Sequence, residues 1–199
     1  MPVAQGRRRP RGETRRRILR LAAKWLQQRG YHGFSFGQIA DALEIQSGAV
    51  HYHFPSKPDL VTAVFAGYRV EFAWWREQMD SSRYGPLEQV GRFLDLEARN
   101  IEGERVCPLG VAGVEYASLP AQACAEAEGL RDDLAEWLTG LLETGRLEGT
   151  LEFPGDASDQ ARAIMAAAQG ALQLVRLHGR DDFAAVRRAI LAGLTPRGV

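Results

Sequence analysis

Apolar residues recur at helical spacing along almost the whole chain, and no segment shows the strict alternation of a half-buried strand. Ile18, Leu21, Ala22, Trp25 and Leu26 fall on one face of a helix beginning near Thr14, and Gly30 stands where a left-handed cap would end it. A short helix follows, with Ser35 as N-cap and Ile39, Ala40 and Leu43 turned inward. Glu44, Ile45 and Gln46 make a tight turn. Ser47 then caps a second short helix that runs through Val50 to about His53 and closes at Phe54-Pro55. Two short helices joined by so few residues form a helix-turn-helix, with Ala40 allowing a close crossing and Ile45, Val50 and Phe54 filling a small core.

Ser56-Lys57-Pro58-Asp59 opens a longer helix: Ser56 caps it, Pro58 is tolerated in the first turn, and Asp59 suits the positive end of the helix dipole. Val61, Val64, Phe65, Tyr68, Phe72, Trp75 and Met79 carry it to about Asp80. Beyond it the pattern predicts helices at 87–103, about 109–118, 121–146, 157–178 and 182–194. The breaks fall at Gly85-Pro86, Cys107-Pro108, Leu119-Pro120 and residues 149–156. The expected fold is all-α, a three-helix head followed by a helical bundle. Residues 1–11 are rich in Arg, Pro and Gly and read as a flexible basic arm; 12–57 form the head and 58–199 the body.

Charge sharpens this division. The net charge is +0, yet residues 1–69 hold 12 basic against 4 acidic side chains, while residues 70–199 hold 13 against 21. One end suits a polyanion and the other repels it. No apolar run reaches the roughly eighteen residues a membrane span needs, and no apolar stretch follows Arg7–Arg11 to make a secretory signal. Two cysteines, Cys107 and Cys124, are too few for a disulfide framework. A cytoplasmic protein, nucleoid-associated when bound to DNA, is expected. No catalytic constellation stands out, so neither an enzyme nor a cofactor is expected. His51 and His53 lie about 200° apart around a helix, which argues against a metal site.

The stretch from Arg16 to Tyr68 resembles the TetR family of transcription regulators. The resemblance rests on Ile18, Ala22 and Gly30-Tyr31, on Ile39-Ala40, on Gly48-Ala49-Val50-His51-Tyr52-His53-Phe54, and on Ser56-Lys57 with Leu60. Cys107-Pro108-Leu109-Gly110 followed by Glu115, Leu147-Glu148-Gly149-Thr150-Leu151 and Gln169-Gly170-Ala171 are similar to a multidrug- or electrophile-responsive branch. Two positions depart from the family's pattern: Glu44 stands where Gly is usual, and His51 where Tyr is common. The resemblance implies a dimeric repressor of a palindromic operator, with an effector pocket in the body; activation stays open.

In a helix-turn-helix the second helix enters the major groove. Gln46, Ser47, Gly48 and Ala49 would meet base edges, and His51 and Tyr52 would reach phosphates or bases. Lys57 in a helical first turn would bind phosphate, joined by Arg15, Arg16 and the basic arm. For the homodimer seam the expectation is Ala161, Ala168 and Leu172 with Val175, Val186 and Ile190. The pocket is expected among Phe72, Trp75, Phe93, Tyr116 and Trp137, with Met165, Gln169 and Gln173. Cys107, at a helix start and near Arg105, reads either as a thiol of lowered pKa or as a buried, inert one. The effector is thus either an apolar molecule with a few polar anchors or an electrophile that reacts with Cys107.

Overall fold

A computed structural model describes residues 12–196, which hold nine α-helices and no strand. The basic arm expected at 1–11 lies outside the described residues. The head comprises α1 (Glu13–Arg29), a 3-10 turn (Tyr31–Gly33), α2 (Phe36–Leu43) and α3 (Ser47–His53). The linking helix α4 (Lys57–Asp80) leads to a body of α5 (Pro86–Glu102), α6 (Pro108–Glu115), α7 (Ala121–Leu147), α8 (Ala157–His178) and α9 (Asp181–Leu194). No helix among the described residues is long and apolar enough to cross a membrane.

Local chemistry sets most of these boundaries. Ser35 accepts the Gln38 N–H while Gln38 Oε1 accepts the Ser35 N–H, a reciprocal capping box that starts α2. Ser56 likewise accepts from Asp59 N–H at the start of α4. Ser47 does not cap: Gln46 occupies the N-cap position of α3, with no side-chain cap bond. Leaving Ser47 within the helix frees its hydroxyl. At the other end of α2, Glu44 takes the left-handed conformation (φ 52°), the geometry that favours glycine.

Gly30 has a positive φ (79°), but its ψ of 179° sends the chain onward in an extended course, unlike a helical cap. A Cβ there would collide with the Glu115 carboxylate, whose Oε2 accepts the Tyr31 N–H at 2.6 Å. The end of α6 is thereby plugged into the head.

The packing is continuous from head to body. Ile18, Leu26, Ile39, Val50, Phe54 and Phe65 share one apolar cluster with Val106, with Val111 of α6 and with Ala123 of α7. A second core, around Phe72, Trp75, Phe93, Leu94, Trp137 and Leu138, fills the body bundle of α4, α5, α7 and α8.

Candidate DNA interface and effector cavity

The head displays an exposed recognition surface on a rigid base. Val50 and Phe54 are buried, while Gln46, Ser47, Gly48, His51 and Tyr52 are exposed and Ala49 is half-buried. Tyr52 is 84% exposed, too much surface for a core aromatic and suited to a partner. Nothing lies within 4 Å of a Cβ placed on Gly48, so this edge of α3 is open to close approach. His51 packs edge-on against Phe36 (4.8 Å), which ties the recognition helix to α2. Arg15 and Arg16 are exposed, and the Arg15 guanidinium lies over the Phe54 ring at 5.0 Å.

Lys57 departs from expectation. Its ammonium turns back into the head, donates to the Phe34 carbonyl, and sits over the rings of Tyr31 (4.8 Å) and Phe34 (4.4 Å). Desolvation pulls its pKa down, against the opposing attraction of Glu115. In this conformation the Lys57 ammonium braces the head from within.

The body holds a cavity of about 270 Å³ between the end of α1, α4, α5, the 103–107 segment and α7. Phe72, Trp75, Phe93, Leu130 and Leu134 provide apolar wall, and Gln27, Glu71, Glu97, Asn100 and Arg105 add polar groups. A small void of about 20 Å³ adjoins it, reaching Met165, Ala168 and Gln169 and sharing Phe93, Glu97, Cys107 and Leu134 with it. Trp137 stands behind the wall, with ring contacts to Trp75 (5.1 Å), Phe93 (6.0 Å) and Phe72 (6.1 Å). A larger groove of about 600 Å³ runs between α1 and α4 and meets the cavity at Tyr68 and Glu71.

Two expected pocket residues lie elsewhere. Tyr116 is 53% exposed at the end of α6, with its hydroxyl on the Glu128 carboxylate. Gln173 packs against α6, where a Cβ on Gly110 would come within 3.0 Å of its Nε2, and it does not line the cavity.

Cys107 is the N-cap of α6 and lines the cavity, as its spacing predicts, while its pKa moves opposite to the lowered value expected there. Burial and the neighbouring Glu97 carboxylate push the thiol pKa well up; the N–H groups of Gly110 and Leu109 oppose this and lose. The helix start does act on the sulfur, but desolvation outweighs it. Cys107 is held as a thiol.

The arrangement of an exposed recognition helix on a helical body has close counterparts. Residues 18–64 match the sequence model described as bacterial regulatory proteins, tetR family. A TetR-family transcriptional regulator from Agrobacterium tumefaciens is 30% identical, with a TM-score of 0.87 over 92% of this chain and 98% of that one. The chain belongs to the TetR family. A TetR regulator from Legionella pneumophila is 28% identical, with a TM-score of 0.84 over 94% of this chain and all (100%) of that one. The HTH-type transcriptional repressor BepR of Brucella suis is 25% identical over 178 residues, 86% of this chain and 84% of that protein. TetR-family proteins are DNA-binding transcription regulators and not enzymes.

Within this TetR-family body three residues of the expected dimer seam are turned into the chain's own bundle. Ala161 (0% exposed), Ala168 (2%) and Leu172 (1%) are buried inside a single chain. Val175 and Val186 pack half-buried on the cluster around Cys107 and Phe183, and Ile190 packs on the body core. The stripe of Ala161, Ala168 and Leu172 is a seam between α8 and the chain's own bundle. The opposite side of α8 is exposed at Ala163, Ala166, Gly170, Leu174 and Leu177.

Two residues placed at the cavity escaped the sequence reading. Gln27, in the last turns of α1, is 4% exposed; its Nε2 donates to Val106 O (2.8 Å) and Asn100 Oδ1 (2.9 Å), and its carbonyl accepts from Val106 N–H (3.2 Å). Gln28 adds a bond to Gly103 O at 2.7 Å. These join the recognition head to the cavity wall. No local signal marks Gln27, because its partners lie more than seventy residues away. Glu97 did carry a signal: it continues the inward register of Val90, Leu94 and Ile101 on α5, an acid in an apolar stripe.

Proposed function

We propose that this TetR-family regulator is a repressor that binds a palindromic operator as a homodimer and is released by a small molecule in the α4–α7 cavity. The observation that carries the reading is the place of Gln27. It is part of α1 in the head, it lines the cavity, and it bonds to Asn100 and Val106 on the opposite wall. An occupant of the cavity therefore works directly against the base of the DNA-binding head, without transmission along all of α4. The 103–107 segment, with Glu104 at a left-handed φ of 52°, and the Glu115–Tyr31 bond provide two further links that such a molecule would load.

In this reading residues 12–57 are the DNA-binding unit and 58–199 the effector-binding and dimerising unit. Gln46, Ser47, Gly48, Ala49, His51 and Tyr52 meet the major groove, while Arg15 and Arg16 meet phosphates. Dimerisation uses the exposed side of α8 (Ala163, Ala166, Gly170, Leu174, Leu177) together with Ala185 and Ala189 of α9. The small residues on both helices permit a close four-helix contact. Release requires an effector that binds the DNA-incompetent state more tightly than the bound one. Repression fits the name of the Brucella suis relative.

The test is fluorescence anisotropy on the DNA upstream of the protein's own gene, with Gly48→Leu as the DNA-binding-deficient control. Saturable binding at two symmetric half-sites, reversed by compounds that quench Trp75, is the expected result. DNA binding that no cavity-bound compound alters would refute the effector reading.

A further inference from the structure

Glu97 projects from α5 at the partition between the cavity and the small void. Its Oε2 is shut off from solvent and accepts no hydrogen bond. The Cys107 thiol donates to this carboxyl group but brings no charge. The remaining titratable and charged groups of the cavity wall are Tyr68 and Glu71 on α4, Arg99 on α5, and Arg105. The Arg105 guanidinium donates to the Arg99 carbonyl (3.2 Å), and its field acts on Glu71 and Tyr68. Among the described residues, α7 and α8 contribute Leu130, Leu134, Met165, Ala168 and Gln169. The Glu97 carboxylate is thus buried without a counter-charge, which is costly unless it takes up a proton or meets a cation.

The wall beside it is aromatic. Phe72 and Trp75 are stacked at 6.0 Å, and Phe93 flanks them against Trp137. Such ring faces attract cations.

We propose that the cavity recognises a small organic cation, a protonated amine on an aryl or short alkyl body. Its N–H group pairs with the Glu97 carboxylate at the cavity wall, and its body lies on Phe72, Trp75 and Phe93. The volume, about 270 Å³, falls at the small end of the ligand-cavity range and favours a compact amine. This inference rests on the effector reading given above.

The full-length protein is titrated by calorimetry and tryptophan fluorescence with 2-phenylethylamine, its neutral analogue 2-phenylethanol, and the anion phenylacetate. At pH 8 the amine should bind at least about tenfold more tightly than either analogue, an ordinary figure for a desolvated charged pair. Its affinity should fall about tenfold between pH 8 and pH 6 as Glu97 takes up a proton, while the amine itself stays charged. Glu97→Gln should level amine with alcohol and leave alcohol binding unchanged. The wild-type pH profile decides the matter by itself if that variant folds poorly. An amine that binds no better than the alcohol, or with an affinity flat in pH, overturns the proposal. So does failure of all three to bind, and so does a preference for phenylacetate, which would make Arg105 the anchor. DNA release is followed in parallel. Amine binding without release refutes the effector reading and leaves the cation site; release by neutral compounds alone does the reverse.

Discussion

Glu97→Gln in the unliganded protein should change stability in a way that depends on pH. Burial raises the Glu97 pKa from 4.5 to about 7, opposed only by the Cys107 hydrogen bond. The folded chain therefore holds a proton that the unfolded chain releases between those values. Stability linked to this group is fully present below about pH 4.5 and is lost as pH rises through about 7. The displacement corresponds to about 3 kcal/mol at high pH. Glutamine keeps the shape and removes the charge, but leaves an amide imperfectly hydrogen-bonded at a cost of about 1 kcal/mol. The variant should thus be about 2 kcal/mol more stable than wild type at pH 8, and equal or slightly less stable at pH 5. For a chain of this length the gain at pH 8 is a rise of roughly 4–8 °C in Tm. Urea melts at pH 5, 6, 7 and 8 measure the difference, with protein concentration fixed because self-association would add its own term. Glu71, also raised by burial, titrates in both proteins and cancels in the difference. A difference that is the same at pH 5 and pH 8 would refute the assignment of Glu97 as a buried carboxylate without a counter-charge.

Glu44→Gly should stabilise the head by about 0.5–1 kcal/mol, since it relieves a left-handed non-glycine residue and removes a negative charge from the C-terminal end of α2; thermal melts check it. Leu174→Asp should convert dimer to monomer in light scattering and abolish operator binding while the monomer stays folded. Leu172→Asp, at a fully buried position, should instead unfold the chain. Cys107 should react with iodoacetamide at pH 8 at least about tenfold more slowly than a free thiol, because its pKa is raised and its sulfur buried. Faster alkylation than free cysteine, read by mass spectrometry, would restore the electrophile-sensor expectation.

The family resemblance and the electrostatic division of the chain were both visible before the structure, and so were most helix boundaries. Those features are local. A cap such as Ser35 with Gln38 works within four residues, and an apolar stripe such as Ile18, Ala22, Trp25 shows in any helical projection. Periodicity says that α8 has a face to bury; it does not say against what. Ala161, Ala168 and Leu172 were expected to face a partner chain, and they are buried because α5, α7 and α9 arrive on that side.

Charge at a site is likewise a tertiary property. The helix start at Cys107 predicts a thiolate, yet burial beside Glu97 reverses the sign. The first turn of α4 offers Lys57 to phosphate, yet the rings of Tyr31 and Phe34 take it. Gln27 became the link between head and cavity because segments distant along the chain brought Asn100 and Val106 to it. The sequence by itself determined the helices and the caps at Ser35 and Ser56, because these depend on neighbours a turn away. Which faces meet, which charges are desolvated and where the cavity touches the head were decided only when the helices packed, since burial and pairing depend on residues with no proximity in the chain.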